Sequence, residues 1–110
     1  MKRSYVKAKV QFYPRTLGGR SCVPFGDGYA PYLRASMLSE DLAIRINGMP
    51  SSGQYETEYE VELELSYHPR LDYSQLIEKT AFKLIEGPRI VGRGVITSPI
   101  YERLIETPNH

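Results

Sequence analysis

Apolar and polar residues alternate with a period of two over most of the chain, and stretches with helical spacing are scarce, so strands are the expected elements. From Tyr5 to Tyr13, Val6, Ala8, Val10 and Phe12 alternate with Lys7, Lys9 and Gln11, which predicts a strand with one apolar and one basic face. Pro14, Gly18 and Gly19 then break the pattern, and loop composition continues through Pro24, Gly26, Asp27 and Gly28. A second strand is expected over Tyr32 to Leu38. In a third, Leu42, Ile44 and Ile46 alternate with Ala43, Arg45 and Asn47. Asn47–Gly48 signals a turn, which Met49 to Gly53 lengthens into a loop.

The longest alternation runs from Tyr55 to Tyr67. Tyr55, Tyr59, Val61, Leu63, Leu65 and Tyr67 share one face, while Glu56, Glu58, Glu60, Glu62 and Glu64 share the other. Glutamate is a poor strand former, so burial of the opposite face must hold the segment extended. A slip of one residue would bury five carboxylates, so the register is strongly specified. Beyond His68–Pro69, Leu71 to Lys79 is expected to form a short helix or turn with Asp72 as its N-cap. Ala81 to Glu86 returns to strand, Gly87–Pro88 turns, and Arg89 to Thr97 forms a strand interrupted by Gly92 and Gly94. Glycines inside a strand mark a bulge, a bend or a close approach of backbone to another group. A last edge strand is expected around Ile100 to Ile105. About six strands at short spacing fit an all-β domain, a small antiparallel barrel or sandwich.

With 110 residues, the chain has the size of a single domain, read as 1–110 with one core. No run approaches the ~18 apolar residues of a membrane span, and MKRSYVKAKV has no continuous apolar stretch, so a cytoplasmic location is expected. The single cysteine, Cys22, can neither form an internal disulfide nor build a cysteine-based zinc site. Net charge is only +1, but it is distributed in blocks. Residues 1–34 carry seven Lys or Arg against one Asp, 35–68 one Arg against seven acids, and 69–110 six positive against five negative. The blocks give two differently charged surfaces if the fold separates them, and neutralise each other if their strands pair.

Three segments together resemble the third domain, the C-terminal β-barrel, of the translation elongation factor Tu family. They are GGRSCVPFGDGYAPY (Gly18 to Tyr32), the strand closing in His68–Pro69, and FKLIEGPRIVGRGVIT (Phe82 to Thr97), and their order and spacing match over about 5–97. The resemblance implies a six-stranded antiparallel barrel, in agreement with the strand count. It also implies contacts with the backbone of tRNA, for which Arg20 and the glycines Gly92 and Gly94 stand at matching positions. Ser21 and Tyr32 stand where the family commonly has a histidine and a glutamine. Neither a GxxxxGK phosphate loop nor an NKxD motif occurs, so no nucleotide is expected to bind.

The only imidazoles are His68 and His110, too few and too scattered to suggest nucleophilic catalysis, so neither an enzyme nor a metal or cofactor site is expected. Binding remains. The first expectation is a stand-alone module that docks a protein partner, an accessory or immunity-type protein, through Tyr32 and the acidic ladder Glu56, Glu58, Glu60, Glu62 and Glu64, which would face a basic surface. The alternative is binding of a tRNA or other RNA backbone by Arg20, Lys7, Lys9 and the Gly92–Gly94 stretch.

Overall fold

The computed structural model describes residues 2–14, 28–35, 40–50, 53–68, 70–74 and 76–104. Among them are seven strands: β1 (Lys2–Phe12), β2 (Tyr32–Ala35), β3 (Leu42–Asn47), β4 (Tyr59–Leu65), β5 (Ala81–Glu86), β6 (Arg89–Ile96) and β7 (Tyr101–Leu104). They form one antiparallel sheet in the order β4-β3-β2-β5-β6-β1-β7, and β1 also pairs with β4. That last pairing closes six strands into a barrel and leaves β7 outside the closure.

β1 holds the barrel together because it is long enough to serve three partners. One edge pairs with β4 over Tyr5 to Val10, and the other pairs with β6 over Ala8 to Phe12 and then with β7 over Lys2 to Tyr5. Between β6 and β7, the Lys7 amide donates to Ser98 Oγ at 2.9 Å and its carbonyl accepts the Thr97 amide at 2.8 Å. The edge therefore passes from one strand to the next with no backbone group left open at Lys7.

The inward positions are those the alternation predicts: Val6, Val10 and Phe12 of β1, Ile44 and Ile46 of β3, and Leu63 of β4 are fully buried. The centre of a six-stranded barrel is narrow, so its large side chains need small ones opposite. Gly92 and Gly94 are those small residues. They pair with Phe12 and Phe82, and a Cβ at Gly92 would lie 2.6 Å from the Gln11 carbonyl oxygen. At Gly94 a Cβ would meet the Phe82 ring and lie 2.5 Å from the Lys9 carbonyl oxygen. The close approach signalled by these glycines is to the chain's own neighbouring strand and core.

Two expectations need correction, both at the ends of β4. β4 is shorter than the Tyr55–Tyr67 alternation, because Glu56 adopts a left-handed φ of 59° while its amide donates to the Phe12 carbonyl at 2.9 Å. At the other end, the His68 amide turns back to the Leu65 carbonyl, so Tyr67 falls in a turn and is 54% exposed instead of joining the core. Of the helix or turn expected over Leu71 to Lys79, the described residues take the turn. Asp72 Oδ1 accepts the Ser74 amide at 2.9 Å, the bond expected of a cap, although a turn and not a helix follows it.

This segment crosses the end of the barrel where β4 leaves and β5 enters, and it drives two side chains into the opening. Tyr73 and Leu76 are fully buried there. The Tyr73 hydroxyl donates to the Ala43 carbonyl at 2.7 Å and accepts the Tyr67 amide at 3.3 Å. The ring thus fills the base while its polar tip stays bonded.

Candidate functional site: the outer faces of the barrel

The outward side chains of β1 and β4 lie opposite one another as Tyr5 with Glu64, Lys7 with Glu62 and Lys9 with Glu60. The basic and acidic blocks are thus brought together in register, and much of their charge is neutralised. Arg103 holds Glu62 with two bonds of 2.8 and 2.9 Å, Arg3 reaches Glu64 at 3.2 Å, and Lys9 lies 3.9 Å from Glu58. Glu56, in its turn, stands off the strand face. Glu58, Glu62 and Glu64 are thus paired, while Glu56 and Glu60 are exposed with no ion-pair partner among the described residues.

β7 adds a clasp to this surface. Tyr5 points outward yet is only 2% exposed, because the Tyr101 ring stacks on it at 5.9 Å and the Arg103 guanidinium lies 4.2 Å from its centroid. The Tyr101 hydroxyl donates to Glu62 Oε2. Loss of solvent around the phenol, followed by the Glu62 carboxylate, pushes the Tyr101 pKa up to about 12. The Glu62 carboxylate also holds the Arg103 guanidinium above its ordinary range.

An unfolded tyrosine ionises near pH 10, so folding favours the protonated phenol. This contribution is complete below about pH 10 and is lost as pH rises toward 12. Spectrophotometric titration is expected to show Tyr101, together with the buried Tyr73, ionising later than the exposed tyrosines, and Tyr101→Phe should remove one phenol from that late step. A Tyr101→Phe curve identical to the wild type would show that the phenol is not held by Glu62.

The face made by β2, β5 and β6 is different. Arg34 lies opposite Lys83, and Lys83 opposite Arg93, so three cations stand in one row across three strands. Like charges directly opposite destabilise a sheet. Asp41 binds Arg34 with bonds of 2.7 and 3.1 Å and raises its pKa. Among the described residues Lys83 reaches the Tyr13 hydroxyl, at 3.3 Å, and Arg93 reaches Gln11 Oε1, at 3.1 and 3.0 Å. Neither has a carboxylate within ion-pair distance among the described residues. A groove of about 310 Å³ floored by Ala35, Ala81 and Gly94 runs between them. No feature of the linear sequence marks this row, since only the strand register assembles it.

Of the sequence candidates for RNA, Lys7 and Lys9 project from β1 on the outer surface, and Lys9 is engaged by Glu58. Gly92 and Gly94 lie in β6, which pairs with β5 on one edge and β1 on the other, so their amides are committed to a ladder. Arg20 lies outside the described residues.

The β2–β3–β4 face carries two exposed tyrosines, Tyr32 at 50% and Tyr67 at 54%. They line one groove of about 340 Å³ together with Pro31, Ala43 and Arg45. A second groove of about 340 Å³, lined by Lys2, Arg3, Ser4 and His68, shares Arg45, Glu64 and Ser66 with it. Arg45 lies opposite Glu64 in the register, but Glu64 is engaged by Arg3, and Arg45 has no ion-pair partner among the described residues. Ser4 Oγ and His68 Nδ1 share a hydrogen bond of 2.8 Å that ties β1 to the turn after β4. No cluster of three metal-ligating side chains occurs among the described residues. Comparison with known proteins finds no matching family model and no matching curated protein.

Proposed function

We propose that this chain is a non-catalytic binding module that docks a protein partner, as an accessory or immunity-type protein does, in a cytoplasmic setting. Kinship with the third domain of the elongation factor Tu family is part of the proposal, and the closed six-stranded barrel supports it. The observation that carries the docking reading is the pair of half-exposed tyrosines flanking a groove beside Arg45, which has no ion-pair partner among the described residues. Tyrosine and arginine are the residues that dominate binding energy in protein interfaces. The glutamates contribute less to this reading, because the chain's own Arg3, Lys9 and Arg103 engage Glu64, Glu58 and Glu62. Capture from native lysate should recover one protein in stoichiometric amount with the wild type and lose it with Tyr32→Ala/Tyr67→Ala. Equal recovery by both baits would defeat the proposal.

The cation row favours a second reading, binding of an RNA backbone on β2, β5 and β6. Affinity for mixed tRNA would then fall with salt at a log–log slope of roughly 0.7–0.9 per phosphate neutralised. Lys83→Ala and Arg93→Ala should each lower that slope by roughly the same amount. Affinity that is insensitive to salt, or unchanged in both variants, would exclude it.

A further inference from the structure

We infer that the two joined grooves on the β2–β3–β4 face receive an extended, acidic, proline-containing segment of the partner. The inference rests on the protein-docking reading and names the chemistry of what is docked. The shape of the site selects among the ways proteins hold peptides. Strand addition needs an open sheet edge, and β2, β3 and β4 are each paired on both sides. An amphipathic helix needs a long apolar trough for several anchors a turn apart, whereas the apolar lining here is a short patch of Ala30, Pro31, Tyr32, Ala43 and Tyr67 over the buried Ile44. Recognition of a phosphorylated side chain calls for clustered arginines free to grip one group, and of the two arginines lining the joined grooves Arg3 is already held by Glu64, which leaves Arg45.

A polyproline-type segment fits what remains. Such chains are extended before binding, carry no internal hydrogen bonds, and lay their rings into slots between exposed aromatic side chains. Tyr32 and Tyr67 form the walls of such a slot, and the small Ala43 side chain forms its floor.

Charge supplies the second half of the assignment. The furrow leads from the tyrosines past Arg45 to Arg3 and Lys2, with His68 beside them, and among the described residues Glu64 is the one carboxylate lining either groove. Arg3 already engages Glu64, so the positive charge of Arg45 faces solvent uncompensated among the described residues. Carboxylates placed along an extended chain just past the proline would meet Arg45 first; beyond it Arg3 is held by Glu64 and Lys2 lies 3.9 Å from Glu102, so Arg45 supplies the main contact.

The test uses fluorescence anisotropy with three short labelled synthetic peptides: alternating Glu-Pro, alternating Gln-Pro and alternating Glu-Ala. The wild type should bind Glu-Pro, and bind Gln-Pro and Glu-Ala at least about tenfold more weakly. Tyr32→Ala and Tyr67→Ala should each weaken Glu-Pro binding by about tenfold or more, at unchanged melting temperature, since both rings are exposed. Arg45→Gln should make Glu-Pro and Gln-Pro bind alike. Equal binding of all three peptides would overturn the inference, as would Glu-Pro binding that is lost in Lys83→Ala/Arg93→Ala but kept in Tyr32→Ala. If the lysate partner depends on Tyr32 and Tyr67 while no peptide binds, the docking reading stands and the acidic proline segment is wrong. If the partner is also indifferent to both tyrosines, both ideas fail.

Discussion

Gly94→Ala should lose about 3 kcal/mol or more of folding stability, although it adds one methyl group. The new Cβ would collide with the Phe82 ring and lie 2.5 Å from the Lys9 carbonyl oxygen. The ring could rotate at some cost, but the carbonyl is fixed in β1, which pairs with β4 and β6 on its two edges at this point. Domains of this kind have only about 5–15 kcal/mol in total, so such a loss removes a large share. At about 4–8 °C per kcal/mol, the melting temperature should fall by roughly 12 °C or more. Phe82→Leu in the same chain should recover part of this loss, the part due to the ring. Gly92→Ala should cost less, because its side-chain neighbours, Leu84 and Phe12, lie at 3.3 Å and can yield, although the Gln11 carbonyl at 2.6 Å cannot. A Gly94→Ala protein that melts with the wild type would show that β6 stands farther from β1 than described here.

Tyr73→Ala is expected to cost about 3–5 kcal/mol, the range for removing a buried aromatic ring. The ring is 1% exposed and fills the base of the barrel, so truncation leaves a hole under Leu76 and Ala43. The Ala43 carbonyl and the Tyr67 amide would also lose their partner, the Tyr73 hydroxyl. Tyr73→Phe separates the two effects, keeping the ring and removing the bonds, and should cost about 1–3 kcal/mol. Urea denaturation of the three proteins checks the order. If Tyr73→Phe were as damaging as Tyr73→Ala, the hydroxyl bonds rather than the plug would hold the base closed.

The strands with strict alternation were legible because burial on one face is written directly into the order of residues. Ala81–Glu86 matches its expected bounds, and Leu42, Ile44 and Ile46 are buried as expected. The reading failed where alternation outlasted the strand. Tyr55 and Tyr67 continue the period of β4, but Glu56 turns with a left-handed φ and the His68 amide turns back to Leu65, and neither event has a hydrophobic signature. The role of the two glycines was half legible. Their presence announced a close approach, but whether the approaching group was a phosphate or a phenylalanine depended on which residues the register sets opposite. The candidate faces were the least legible. Glu58, Glu62 and Glu64 meet cations from β1 and β7, while Arg34, Lys83 and Arg93 form a row from three strands, and both outcomes follow from pairing between distant segments.

The sharing of β1 among β4, β6 and β7 has a consequence in time. Its hydrogen-bonding partners lie late in the chain, and Lys9 meets Glu60 on one edge and Val95 on the other. Bringing such distant segments together sacrifices chain entropy before any closure energy is returned, which places folding in the slow range for small domains, milliseconds to seconds. During synthesis β1 precedes all its partners; β4 can cover one edge, but the other stays open until β6 and β7 have followed. Its alternating lysines, Lys7 and Lys9, keep the waiting strand charged on one face through that interval, a guard against premature association with other nascent chains.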